Sequence, residues 1–200
     1  MGLVQMRLND IAETIFVRNL RRRPDRLEHM EKEMEKIGAD WLLFDCADNM
    51  GTKMPAMWWN VQNSKQCIRY AQAAGLSNVL LLDDDCLFVD DFNQKLEELW
   101  PHMPTDWDIV SFGEIYGDYE EVYPGIVRAT HSWGGHASLI RSTMFYPLVN
   151  TLTGKEWADE EINQKIKPNI KFYAFKPYLV TQIPGHSDLV NHFKGNENFQ

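Results

Sequence analysis

Long hydrophobic runs are missing from this chain of 200 residues. No apolar stretch approaches the ~20 residues that cross a bilayer, so no membrane span is expected. The start, residues 1–13, lacks a basic segment followed by an apolar one, which argues against a secretory leader. Cysteine is scarce: Cys46, Cys67 and Cys86 stand alone, with no C-x-x-C pair. That spacing excludes a zinc ribbon or a disulfide framework and points to reduced thiols in a cytosolic compartment. Positive charge is also short. The net charge is −9, which disfavours a bulk nucleic-acid or anionic-membrane surface. Repeats and low-complexity tracts are absent as well.

What is present is enough apolar side chain for one core. Hydrophobic residues make up 44% and aromatics 12%, including seven tryptophans, which suits a single soluble α/β domain. Ile15-Phe16-Val17 reads as a strand. Pro24 opens a helix whose Leu27, Met30, Met34 and Ile37 recur at helical spacing and which Gly38 stops. Trp41-Leu42-Leu43-Phe44 is a second strand, and a helix is expected from the caps Asn63-Ser64 to Ala74. Val79-Leu80-Leu81-Leu82 is a third, buried strand, and Phe92, Leu96 and Leu99 share a helix face. This alternation is the pattern of a mostly parallel sheet with helices on both sides. After Asp108-Ile109-Val110-Ser111-Phe112 the pattern turns irregular. A Tyr-, Asp- and Gly-rich loop over 113–124 precedes strands of a mixed sheet at 127–130 and 137–140. Further helices are expected at 142–152 and 156–166, and late strands at 172–174 and 178–180. The chain divides into a nucleotide-type half (14–112), an acceptor half (113–193) and a polar tail (194–200).

Asp83-Asp84-Asp85 is the most informative motif. It follows a buried strand and precedes another apolar run, Cys86-Leu87-Phe88-Val89. Carboxylates at such a place are costly to desolvate unless something positive meets them. Strand alternation would turn Asp83 and Asp85 the same way. Two hard oxygen donors at the end of a parallel strand suit Mg²⁺ or Mn²⁺ and an anionic ligand, although a solvated turn would also favour aspartate.

Three other clusters carry chemistry. Arg18 and Arg21-Arg22-Arg23 with Arg26 lie between the first strand and the first helix, where guanidiniums and a helix start suit a diphosphate. Trp157-Ala158-Asp159-Glu160-Glu161 opens a helix. These acids complement the helix dipole, and either Asp159 or Glu160 could serve as a general base. His186, with His192 behind it, could complete a cation's shell or stand as a surface histidine. The Gly134-Gly135 loop between His131 and His136 could admit an acceptor or simply turn.

Taken in order, these pieces resemble glycosyltransferase family 25, the lipopolysaccharide-biosynthesis and collagen-galactosyltransferase type. Val17-Arg18-Asn19-Leu20 with Arg22-Arg23-Pro24-Asp25-Arg26 is similar to its INLxxRxDR opening. Leu81-Leu82-Asp83-Asp84-Asp85-Cys86-Leu87-Phe88 is similar to LILEDDVxF, with Asp83 in place of the usual Glu. His136-Ala137-Ser138-Leu139-Ile140 matches HAYLIS, and Gln182 with Ser187-Asp188 matches the Q…SD ending. The family's Ser-His pair has no counterpart near Ser64-Lys65-Gln66-Cys67. Similar domains occur in large algal viruses, which would place the protein in a host cytoplasm.

The resemblance implies a GT-A fold, an αβα sandwich whose DxD motif holds Mn²⁺ or Mg²⁺ against a UDP-sugar. It also implies transfer, with inversion, to a glycan or glycoprotein acceptor. On that pattern Asp83 and Asp85 hold the metal, with His186 the further ligand. Asp83 and Asp84 touch ribose or sugar hydroxyls. Val17, Arg18 and Asn19 line the uridine pocket, Asp48 and Lys65 sit near the nucleotide, and Arg23 or Arg26 meets phosphate. Asp159 or Glu160 is the base, and Trp133, His136 and the Tyr116–Tyr119 loop face the acceptor. Two other readings remain: a metal-dependent phosphohydrolase, and a non-catalytic nucleotide-sugar-binding module.

Overall fold

A computed structural model describes residues 6–48, 51–187 and 192–194, with backbone alone for 185–187 and 192–194. The elements run β1 (Ile15–Leu20), α1 (Pro24–Ile37), β2 (Leu42–Cys46), α2 (Ala56–Ala73), β3 (Asn78–Asp83), β4 (Cys86–Phe88) and α3 (Phe92–Leu99). Then follow β5 (Ile109–Ser111), β6 (Tyr116–Tyr123), β7 (Ile126–Trp133), β8 (Ala137–Arg141), α4 (Phe145–Thr151) and α5 (Ala158–Lys165). Last come β9 (Phe172–Phe175), β10 (Val180–Gln182), β11 (Gly185–Ser187) and β12 (His192–Lys194).

Eight strands form one sheet in the order β2-β1-β3-β8-β5-β9-β7-β6. The β1–β2, β1–β3 and β5–β9 pairs are parallel; β3–β8, β5–β8, β7–β9 and β6–β7 are antiparallel. The two halves of the chain are therefore interleaved, because β8 enters between β3 and β5. A small second sheet pairs β4 with β10, antiparallel.

Strand alternation builds the sandwich. Val17, Leu80 and Leu82 point to one face and pack with Met30, Met34, Phe92 and Leu96 of α1 and α3. Phe16, Val79 and Leu81 point to the other and pack with Val61, Ile68, Phe145 and Leu148 of α2 and α4. Because both faces are covered, the central strands are apolar throughout. Gly38 ends α1 at φ 65°, a left-handed cap that costs glycine little.

Four local expectations change. α2 begins at Ala56, behind Pro55, rather than at Asn63. Asn63 and Ser64 look like caps but make tertiary bonds from inside the helix: Asn63 brackets the backbone of Ala47 with two 3.0 Å hydrogen bonds. The loop expected at 113–124 is largely β6, an edge strand with every residue exposed. Its tyrosines and valine suit a strand, but with no buried side the alternation signal is lost. β7 runs on through His131, Ser132 and Trp133, which had read as loop. Finally, β3 ends at Asp83, so alternation does not extend to Asp85. Asp84 and Asp85 form the turn into β4.

No helix among the described residues is long and apolar enough to cross a membrane.

Candidate functional site

The parallel edge of the sheet gathers the first cluster. Register pairs Arg18 of β1 with Asp83 of β3, and their side chains form an ion pair. The Arg18 guanidinium also donates to Ser64 Oγ of α2. It is 8% exposed, and burial works against its charge. The Asp83 carboxylate is the chief opposing influence, and on balance the guanidinium stays above its ordinary range. Asp83 is the open member of the triplet, with its side chain 29% exposed.

The other two aspartates are held by the chain itself. Asp84 is buried. It accepts from Arg26 Nη1 of α1 at 2.6 Å through one oxygen and from Asn19 Nδ2 at 2.9 Å through the other. Both oxygens thus tie α1 to the sheet rather than face an open site for sugar hydroxyls. Asp85 accepts from Gln182 Nε2 at 2.8 Å, and its second oxygen lies 3.5 Å from Arg26. Gln182 is the residue matched to the Q…SD ending, and this bond places that late segment beside the triplet.

The second cluster lies where α5 meets β7. Asp159 Oδ2 accepts the Gly134 N–H at 3.0 Å. A Cβ on Gly135 would come 3.2 Å from Asp159 Oδ1, so a glycine there gives this carboxylate room to lie against the loop. Burial raises the Asp159 pKa; the Gly134 N–H and the charge of Lys167 oppose that rise. Lys167 is 4% exposed and donates to Ser132 O at 3.0 Å and Ser132 Oγ at 2.6 Å. Burial lowers its pKa to about 8, with Asp159 pulling the other way.

The two clusters meet at one cavity of about 90 Å³. Arg18 and Ser64 line it from the first cluster; Ser132, Asp159 and Lys167 line it from the second, over an apolar wall that includes Leu81, Ile140 and Leu148. A volume of this size takes several water molecules, not a whole nucleotide.

Several expected residues lie apart from the cavity. Glu160 binds Gln164 along its own helix at 2.7 Å. His136 was expected at the acceptor, but its ring is buried against Gly113, with Nε2 3.4 Å from Val180 O. Its backbone carbonyl instead fixes Asp83, accepting that residue's N–H at 2.8 Å. Val17 is wholly buried, so its side chain serves the core. Asp48 pairs with Arg22 and Arg23 with Asp25. Lys65 donates to Leu152 O at 2.8 Å. Trp133 is exposed beside His131, ring centroids 4.6 Å apart. The His186 and His192 side chains, and Asp188, lie outside the described residues.

Sequence reasoning did not single out Ser132 or Lys167 for the site. Lys167 carries little signal in the sequence, because it stands between Lys165 and Asn169 in a polar stretch that reads as solvated.

Among the described residues no three His, Cys, Asp or Glu side chains meet as a cage for a metal. Asp83 offers a hard divalent cation a partly open carboxylate, and Asp85 would join it only by giving up Gln182 or Arg26. Mg²⁺ in particular is commonly held by one or two carboxylates, with waters and substrate phosphates completing its shell, and Asp83 and Asp85 are of that kind.

No protein-family model matches the chain, and no curated protein matches it in sequence. Solved structures do. One is a glycosyltransferase involved in glycosylation of the major capsid of PBCV-1, with a TM-score of 0.57 at 11% identity, over 87% of this chain and 93% of that one. The fold is GT-A-like. Another is a Drosophila β1,4-galactosyltransferase 7 variant in complex with manganese, UDP-Gal and xylobiose. Its TM-score is 0.50 at 12% identity, over 92% of this chain and 71% of that one. At such identities the likeness is one of fold: a mixed sheet between helical layers.

Proposed function

We propose that the protein is a glycosyltransferase that moves a sugar from a UDP-sugar to an acceptor hydroxyl, with inversion. One observation carries this reading. Arg18, which pairs with Asp83, and the half-buried Asp159 line the same cavity from different elements. The anionic leaving group and the attacking hydroxyl are then served from two sides of one sugar.

In this reading the uridine and ribose lie along the parallel edge, with Arg18 and Asn19 at the ends of their strand. Asp83 and Asp85 would hold Mn²⁺ or Mg²⁺, a Lewis acid that neutralises charge on the departing diphosphate. The Drosophila neighbour, crystallised with manganese and UDP-Gal, agrees with that choice of donor and metal. Asp159 takes the proton of the acceptor hydroxyl. As the acceptor oxygen bonds to the anomeric carbon, the bond from that carbon to the diphosphate oxygen breaks and UDP leaves. A carboxylate whose pKa is raised by burial accepts a proton more readily than an ordinary one. Gly134 N–H and Lys167 keep it ionised and oriented. Asp159 is preferred to Glu160 because it alone of the two lines the cavity. Kinship with family 25 rests on the motifs.

Incubation with UDP-sugars, Mn²⁺ and a panel of glycan acceptors tests the proposal. UDP release should depend on both metal and acceptor. Release of phosphate from simple esters, with no dependence on acceptor, would replace it with a phosphohydrolase; UDP-sugar binding without turnover on any acceptor would replace it with a binding module.

A further inference from the structure

Tryptophan brings more apolar surface than any other side chain, so where it meets water is informative. Five of the seven tryptophans are buried or half-buried; Trp133 and Trp157 are exposed. They come from different elements, yet both adjoin Asp159. Trp133 ends β7, and the next residue, Gly134, binds the Asp159 carboxylate through its N–H at 3.0 Å. Trp157 is the N-cap of α5, two residues before Asp159, and its carbonyl accepts the Glu161 N–H at 3.0 Å. The residues that follow the two tryptophans, Gly134 and Ala158, line the cavity, whereas the tryptophans open to solvent. They therefore stand at its rim, outside the space between Arg18 and Asp159 that the donor sugar needs. Tyr116, also exposed, lies across from Trp133 in the β6–β7 register, so the two side chains share one face of the ribbon.

Aromatic rings open to water beside a base offer a flat apolar surface to the C–H face of a pyranose. The hydroxyls at the edge of such a sugar stay free for hydrogen bonds. A serine or threonine side chain has no such face to present. Local charge narrows the class. Glu114 and Asp118 stand two residues to either side of Tyr116, and Glu156 and Glu160 bracket Trp157, with Lys155 as the opposing charge. An anionic sugar would meet these carboxylates; a neutral one would not. We propose that Trp133 with Tyr116, and Trp157, form an acceptor subsite for a neutral oligosaccharide, so that the hydroxyl deprotonated by Asp159 belongs to a sugar. This inference rests on the UDP-sugar reading above and takes its base from there.

Titration with neutral oligosaccharides ending in glucose, galactose, mannose or xylose, with sialyllactose and with serine- and threonine-containing peptides tests it. Each is added to the protein in UDP and Mn²⁺, and binding is read as protection of tryptophan fluorescence from acrylamide. At least one neutral oligosaccharide should protect the wild type. Trp133→Ala and Trp157→Ala should each weaken its binding about 10-fold while the Kd for UDP changes by less than about 3-fold. Trp133→Tyr and Trp157→Tyr keep an aromatic face and should restore most of the loss. Should an alanine variant fail to fold, glutamine at the same position makes the comparison. Protection by none of the neutral oligosaccharides, preference for sialyllactose or a peptide, or unchanged oligosaccharide binding in the alanine variants overturns the inference alone, in a protein that binds UDP. Failure of the wild type to bind UDP overturns the nucleotide-sugar reading and the inference with it.

Discussion

Replacing Lys167 with methionine separates the cost of a buried charge from the shape that carries it. The lysine is 4% exposed, and its ammonium lies 4.3 Å from the centre of the Phe172 ring and bonds twice to Ser132. Methionine has a similar length and keeps the packing without the charge. Burial brings the Lys167 pKa down from the ordinary 10.5 to about 8, with Asp159 opposing. Between those two values the unfolded chain holds a proton that the folded chain has released. Unfolded protein then binds more protons, so this residue's contribution to stability rises with pH across that window. Below pH 8 both states are protonated and the full burial cost is present; above about 10.5 it has gone. At 1.36 kcal/mol per pH unit the window corresponds to about 3 kcal/mol. Urea unfolding of wild type and Lys167→Met at pH 7 and pH 10.5 reads it out. The wild type should gain about 3 kcal/mol relative to the variant. The Cys46 and Cys67 thiols, pushed up to about 12 by burial, titrate in both proteins and cancel in the difference. A difference between the two proteins that stays constant within about 0.5 kcal/mol refutes the reasoning, since a group titrating with its ordinary pKa would give no slope.

The same lysine bears on activity. Its charge helps hold Asp159 ionised, so Lys167→Met should move the acid limb of the kcat profile to higher pH. An unmoved limb would separate the two groups. Asp159→Asn should lower turnover about 10²–10⁴-fold while UDP affinity is retained, and Glu160→Gln should stay within a few-fold of wild type. The reverse ranking would transfer the base role to Glu160. Gly134 holds φ at 108°, and a Cβ there would meet Glu114 O at 2.1 Å. Gly134→Ala should therefore cost about 1–3 kcal/mol in a thermal melt and weaken turnover through Asp159; a melt unchanged from wild type would contradict the close approach.

Much of the sheet is legible because its strands are buried on both sides. Phe16-Val17 and Val79-Leu80-Leu81-Leu82 are apolar without a break, and only a covered strand tolerates that. The α1 helix is legible for a different reason: Pro24 and Gly38 mark its ends and three apolar residues at helical spacing face the core. β6 escapes because it has no buried face to imprint a pattern. The start of α2 escapes because Asn63 and Ser64 spend their polar atoms on Ala47 and Arg18, partners far away in sequence. Within the candidate site, Arg18, Asp83 and Asp159 stand out as charges set beside apolar runs; Arg18 and Asp159 share the cavity, and Asp83 is tied to it through Arg18. Asp84 and His136 carry the same kind of signal, yet their polar and packing needs are met by α1 and Gly113. Residue type alone does not distinguish a carboxylate that awaits a ligand from one that already holds Arg26. Exposure does: the Asp83 side chain is 29% exposed and that of Asp84 9%.

The central claim is that the corner built by Arg18 and the aspartate triplet holds the diphosphate of a UDP-sugar through a divalent cation. Titration of UDP into wild type and Asp85→Ala, each with and without Mn²⁺, tests it most directly. The wild type should bind UDP more tightly when Mn²⁺ is present, and Asp85→Ala should lose that gain while its melting curve still shows a folded protein. Equal Mn²⁺-dependent affinity in the two proteins, or no effect of Mn²⁺ on the wild type, would contradict it.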